Sequence, residues 1–314
     1  MPEPQVVAEV VRSGFVEGWH HGSVLALNHD GSVLWALGDV ESAMFPRSAN
    51  KPMQAVAMLR CGLALDPALL ALAAASHSAE DFHLEGVRRI LAGAGLSEAA
   101  LQTPPELPVE ERVRDDALQR GVSPAPILMN CSGKHAAMLA TCVTNGWDLD
   151  SYRDPAHPLQ VAIRATVEDL TGVPVTAVGV DGCGAPLFST TLRGLATAFR
   201  RISVASPESP EGRVAAAYRR HPEYASGTSR DETRLLRALP GAVAKGGAEG
   251  VYATGLPDGR AVALKILDGG ARARPVVMAA ALRRLGLEHP VLDEQATAPV
   301  LGGGTPVGAV RATL

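Results

Sequence analysis

Phe45-Pro-Arg-Ser-Ala-Asn-Lys-Pro-Met53 is the stretch on which the reading of this chain turns. Ser48 and Lys51 stand three apart at the start of a helix. Residues three apart on a helix share a face, which brings Lys51 Nζ within reach of Ser48 Oγ. A serine hydroxyl is a poor nucleophile until a base takes its proton. A lysine serves as that base only when burial or a neighbouring positive charge lowers its pKa. Ser-x-x-Lys is therefore the smallest local unit that activates a serine without a histidine. The plain alternative is a Ser N-cap followed by a solvated lysine. The following residues argue against it. Met53-Gln-Ala-Val-Ala-Met-Leu-Arg-Cys-Gly-Leu-Ala-Leu65 is apolar enough to predict a helix buried on most faces, with its first turn carried into the interior.

Outward from this stretch the pattern changes twice. Before it, Val24-Leu-Ala-Leu27 and Val33-Leu-Trp-Ala-Leu37 flank Asp30-Gly31, a hairpin signal. After it come helical patterns over 67–75, 84–94, 136–144, 157–170, 192–201 and 213–220, with a charged surface stretch at 106–121. The last third returns to strands, 251–256 and 261–267, around Pro257-Asp-Gly259, and a closing helix spans 274–285. Strands at both ends with helices between predict an α+β fold: an antiparallel sheet from both termini with an inserted helical cluster. The reading is one domain, 1–314, with a sheet lobe at 1–45 and 240–314 and a helical lobe at 46–239. Leu301-Gly-Gly-Gly304 lacks the Lys-Ser/Thr of a phosphate loop and reads as a turn.

Composition excludes several classes. The 314 residues are 46% hydrophobic and 20% charged, the balance of a soluble globular chain. A net charge of -4 offers no electrostatic footprint for nucleic acid. Met1-Pro-Glu-Pro-Gln-Val has no basic segment followed by an apolar core, so no signal peptide is expected, and no apolar run reaches membrane-spanning length. Cys61, Cys131, Cys142 and Cys183 form no Cys-x-x-Cys and read as reduced thiols of a cytoplasmic protein.

Four further motifs hold reactive groups. Ser76-His-Ser-Ala-Glu80 ends an apolar helix and is, alone, an ordinary polar cluster. Asn130-Cys-Ser-Gly-Lys-His135 puts amide, thiol, hydroxyl, amine and imidazole ahead of an apolar helix. Cations at Lys134 and His135 oppose the dipole of that helix, which favours a functional reading over a solvated first turn. Asp181-Gly-Cys-Gly-Ala-Pro186 follows a strand, with glycines that let the backbone approach closely. Cys131 and Cys183 with a third donor would make an open zinc site, and Lys134 can be that donor only when deprotonated. Lys245-Gly-Gly-Ala-Glu-Gly250 places a lysine on an edge strand, facing a cleft or blocking aggregation. Lys265, in an alternating strand, is the competing lysine, with solvent as its default.

Taken together and in this order, the five motifs resemble the L-asparaginase family typified by the inducible thermolabile enzyme of Rhizobium etli. The resemblance runs from the first hairpin to Gly302-Gly-Gly-Thr-Pro-Val-Gly308. It implies a fold similar to serine β-lactamases, penicillin-binding proteins and glutaminases, and a homodimer that hydrolyses L-asparagine to L-aspartate and ammonia. It implies Ser48 as nucleophile, Lys51 as its base, and Ser76 with Lys245 as a second hydroxyl–amine pair. It implies zinc at Cys131, Lys134 and Cys183. Asn130, His135 and Asp181 would line the substrate pocket, and Arg47 would help hold a substrate carboxylate. The choice of Lys245 over Lys265 rests on the glycines after it, which resemble the Lys-Thr-Gly strand of β-lactamase-like enzymes.

Two rivals remain. One is another serine acyl-transfer enzyme: a glutaminase, an esterase, or a β-lactamase, against which stand the missing Ser-Asp-Asn and the Lys-Gly-Gly strand. Glutamine is hard to separate from asparagine, because one methylene in a pocket is worth about 1–3 kcal/mol. The other is a catalytically silent amino-acid or zinc-binding protein.

Overall fold

The structure, a computed structural model, describes residues 4–314. Met1 to Glu3, part of the segment read as lacking a leader, lie outside the described residues. The central element is an eight-stranded antiparallel sheet. Along it run Thr297–Gly302, Thr305–Ala312, Gln5–Arg12, Phe15–Leu27, Ala261–Ile266, Val251–Gly255 and Val243–Gly247, with Val33–Leu37 added on Phe15–Leu27. The strands come from the two ends of the chain, as the patterning predicts. Both Asp-Gly signals are hairpins: Val33–Leu37 pairs with Phe15–Leu27, and Val251–Gly255 with Ala261–Ile266. Gly303 and Gly304, both at positive φ, turn the chain between the last two strands.

Val251–Gly255 is buried along its whole length, so both faces of the sheet are covered. Successive side chains of a strand point to opposite faces. Thr254 Oγ1 meets Met278 Sδ of the Ala273–Arg284 helix, whereas a Cβ on Gly255 would strike Phe199 O of the Leu192–Ser203 helix. These two helices therefore cover opposite faces.

The intervening chain is helical. Pro67–Ala73 is capped by Asp66, Asp81–Gly93 follows a capping box at Glu80, and Pro158–Thr171 is capped by His157. Ser132–Asn145 ends at Gly146 in the left-handed conformation and packs tightly on Pro67–Ala73, where a Cβ on Gly133 would lie 2.6 Å from Leu72 O. The charged 106–121 stretch holds the surface helix Glu111–Gln119. Val178–Val180 pairs with Pro186–Phe188 as a small separate hairpin. Among the described residues, no helix is long and apolar enough to cross a membrane.

Candidate active site

The Arg47–Asn50 segment is one 3-10 turn that leads straight into the Lys51–Arg60 helix. Arg47 has φ 50°, a left-handed conformation that costs a non-glycine residue on the order of 1–3 kcal/mol. The strain falls immediately before Ser48, which joins the wall of a cavity of about 330 Å³. Ser76, Asn130, Arg230 and Lys245 line the same cavity. The turn sits against the edge strand Val243–Gly247. A Cβ on Gly247 would lie 2.7 Å from Pro46 O and 3.3 Å from Ser48 N, so this position needs glycine for the serine turn to approach.

Lys51 is fully buried, as the apolar helix predicts. Its partners differ from the expected one. Nζ donates to Ala75 O at 2.6 Å, Ser76 Oγ at 2.9 Å and Cys131 Sγ at 3.1 Å. An ammonium has three donors, and a buried one is costly unless each finds an acceptor. Two distant segments supply all three, and Ser48 Oγ is not among them. Lys51 is thus the joint between the serine pair and the thiols.

Lys245 and Gly247 point to the face that carries Ser48, while Gly246 points to the other, against Arg274 and Glu232. Lys245 Nζ donates to Glu232 Oε1 at 2.9 Å and to Gly246 O at 2.8 Å. The same Glu232 oxygen accepts the free edge N–H of Gly246 at 2.8 Å. Burial pushes Lys245 down to about 8; Glu232 opposes the shift and the charge of Lys51 adds to it. Burial alone would raise Glu232, yet Lys245, Arg230 and Arg274 hold it well below the carboxylate range. Of the two strand lysines, Lys245 is therefore the one in the cavity wall. Lys265 is only half buried and is tied to the carbonyls of Glu249 and Ile266.

The third group is the thiol pocket. Lys134 and His135 are buried in the first turn of Ser132–Asn145 rather than solvated. Lys134 Nζ donates to Cys183 Sγ at 3.2 Å. Cys183 is held well below the thiol range by the Cys131 thiol donating to it and by the Lys134 ammonium; Cys131 is correspondingly raised. Burial opposes the Lys134 charge, but Cys183 keeps that lysine above its ordinary value. His135 Nδ1 meets Tyr152 Oη at 2.6 Å; burial lowers the ring, and its interaction with Cys183 opposes that shift. Among the described residues, no three His, Cys, Asp or Glu side chains are arranged to hold a metal, so a metal here would need the lysine.

Asn130 lines the cavity, whereas Arg47, His135 and Asp181 stand outside its wall. Arg47 Nε donates to Asp181 at 2.8 Å, and its Nη1 lies 3.6 Å from Glu249. His77 is structural: Nδ1 accepts the Ala79 N–H, so the neutral ring donates from Nε2 to Ser132 Oγ, pinning the Ser76 segment to the Cys131 loop. Sequence reasoning missed Arg230, Glu232 and Arg274. Arg230 and Glu232 fall in a stretch the sequence pattern assigns to no element, Arg274 begins the closing helix, and no local signal marks Glu232 as buried.

The chain gives no match among curated proteins. Similar solved structures include a β-lactamase from Mycobacterium bovis, with 13% identity, covering 85% of this chain and 95% of that one at a TM-score of 0.43. Another is EstCE1, a hydrolase with promiscuous acyltransferase activity, with 13% identity, covering 83% and 93% at 0.44. A Bacillus glutaminase has 12% identity, covering 85% and 91% at 0.34. The sequence pattern of the family described as L-asparaginase II matches residues 8–312. That match spans nearly the whole chain that carries the serines, lysines and thiols described above, and the protein is accordingly an amidohydrolase that belongs to the L-asparaginase II family.

Proposed function

We propose that the protein is an L-asparaginase that hydrolyses L-asparagine to L-aspartate and ammonia through a Ser48 acyl-enzyme. One observation carries the reading. Ser48, Ser76 and Lys245 wall one cavity, and the buried Lys51 hydrogen-bonds Ser76 Oγ. Ser48 Oγ attacks the side-chain amide carbon. Its proton passes through Ser76 Oγ to Lys51 Nζ, which takes part as the neutral amine and becomes the ammonium. Lys245, pushed down to about 8, is the amine in the wall that most readily loses its proton near neutral pH. The oxyanion needs preorganised N–H donors. Ser48 N–H is one. Ala248 N–H, two residues beyond the edge-facing Gly246 N–H, is the second, and losing such a donor costs on the order of 10²–10³ in rate. Ammonia leaves with the proton returned along the same relay. Water then cleaves the ester, releasing aspartate and restoring the Ser48 hydroxyl.

Zinc and a homodimer belong to the same proposal. Cys131, Lys134 and Cys183 would hold the ion. Two thiolates are ordinary zinc donors, the Lys134 amine can join them only when deprotonated, and His135, beside Cys183, adds a nearby nitrogen. Bound there, zinc would supply a fixed positive charge that orients the amino or carboxylate group of the substrate.

A second reading makes Ser76 the nucleophile, because Ser76 Oγ, not Ser48 Oγ, is bonded to Lys51. Ammonia release from L-asparagine and L-glutamine decides between them. Release lost in Ser48→Ala and Lys51→Ala, with an acyl mass mapped to Ser48, is the expected result. Release that survives Ser48→Ala but not Ser76→Ala would transfer the role to Ser76. No release from either amide would leave a silent binding protein.

A further inference from the structure

Cationic side chains outnumber acids at one end of the cavity. Lys245, Arg230 and Arg274 line its wall, and Lys51 is close enough to Lys245 to lower it. The acids paired with them are Asp231 and Glu232; the lining also holds Glu249, which is mostly exposed and lies 3.6 Å from Arg47 Nη1. Asp231 is held by Arg274 through both oxygens, each at 3.1 Å. Glu232 Oε1 is taken by Lys245 and by the Gly246 N–H. Arg230 is left with Glu232 Oε2 at 3.7 Å, beyond hydrogen-bond distance, and that oxygen has no hydrogen-bond partner. The Arg230 side chain is 19% exposed, so its guanidinium is neither freely solvated nor committed to an acid. The other arginine beside the serine turn, Arg47, is already engaged by Asp181.

A guanidinium offers five donors in a planar fork that matches a carboxylate. Placed in the wall of a cavity with excess positive charge, beside the serines, Arg230 is set to receive an anion from the cavity side. Glu232 fixes it from behind without saturating it. We infer that Arg230 is the specificity-determining residue of the site, binding the α-carboxylate of an amino-acid amide. This inference rests on the amidase reading of the cavity proposed above.

The test uses paired substrates. L-Asparagine and 3-aminopropanamide share the side-chain amide and the amine, and only asparagine has the α-carboxylate. Each is assayed for ammonia release by the wild type, Arg230→Met and Arg230→Lys. The wild type should prefer asparagine, and Arg230→Met should lose about 10- to 100-fold in kcat/KM for asparagine, mainly through KM, the size of a charged hydrogen bond. The loss for 3-aminopropanamide should be several-fold at most, so the preference collapses. Arg230→Lys, which keeps the charge, should recover part of it. Equal losses for both substrates, or a preference that survives Arg230→Met, would overturn the inference. Calorimetric binding of L-aspartate separates this failure from that of the amidase reading. If neither amide is hydrolysed, that reading falls. Arg230 then keeps its role only if L-aspartate binds the wild type and binds Arg230→Met at least about 10-fold more weakly. Absence of L-aspartate binding to the wild type would sink the inference as well. Should Arg230→Met fail to fold, the same two readouts on Arg230→Lys, with a smaller expected loss, decide it.

Discussion

Lys134 and Lys245 are buried equally, each 1% exposed, and burial disfavours the ammonium form of both. They nevertheless lie on opposite sides of the ordinary lysine value. Lys245 is pushed down to about 8, whereas Lys134 is pushed up. Their neighbours make the difference. Lys245 shares the single carboxylate of Glu232 with Arg230 and Arg274 and meets the charge of Lys51. Lys134 faces Cys183, with Cys131 and Asp181 adding to the attraction. With desolvation similar, the ratio of cations to anions around each amine decides which can release a proton near neutral pH. One pocket is suited to proton transfer and the other to holding charge, or to a metal that displaces the proton.

Replacing each lysine by methionine tests this division most strongly. Lys245→Met should lower kcat for ammonia release by about 10²–10⁴-fold, the size of a lost acid–base group. On the zinc proposal, the wild type should take up zinc in equilibrium dialysis and Lys134→Met should take up far less, with a smaller loss of kcat. Equal kcat losses would erase the distinction between the two pockets.

Glu232→Gln sharpens the comparison from the acid side. With Lys245 acting as a base, kcat/KM should rise with pH along a limb near pH 8. Glu232 raises Lys245, so removing its charge should move the limb to lower pH, by about one unit or more. A pH–rate profile whose limb stays in place would assign the titration to another group.

The smallest expected effect is on stability. Lys245 titrates at about 8 in the folded chain, against an ordinary 10.5. Between these values the unfolded chain binds more protons than the folded one. The Lys245 contribution to stability therefore rises with pH across that window and is lost as pH falls through about 8. Urea melts at about pH 7 and about pH 9.5 should show native protein gaining on Lys245→Met at the higher pH. A gain in the opposite direction would mean that the folded lysine is not depressed.

The parts of the fold readable in the sequence are those governed by near neighbours. Asp30-Gly31 and Asp258-Gly259 mark hairpins because their turn geometry matches the twist of the flanking strands. The apolar patterns 67–75 and 157–170 mark helices, and the structure adds their caps, Asp66 and His157, which accept N–H groups two or three residues on. The strands 297–302 and 305–312 were not legible: Pro299, Gly302, Pro306 and Gly308 break the alternation, and pairing with Gln5–Arg12 joins opposite ends of the chain. The helix Asp231–Ala238 was missed for a related reason. Asp-Glu-Thr-Arg has the composition of a solvated turn, and Glu232 is buried only because the edge strand, 13 residues onward, brings Lys245 and the Gly246 N–H to it.

The candidate site divides along the same line. Ser48, Lys51, Ser76, Lys245 and the thiols could be picked out as a chemical inventory, since residue types and short spacings are written in the chain. Which acceptor each lysine uses could not. The three-residue spacing puts Ser48 and Lys51 side by side, yet Lys51 bonds Ala75, Ser76 and Cys131. A buried ammonium must satisfy three donors at once, and the acceptors able to do so come from segments 24, 25 and 80 residues away. Spacing sets which groups stand near one another along the backbone. Burial and the charges gathered from distant segments set where each proton resides, and those exist only once the chain has folded.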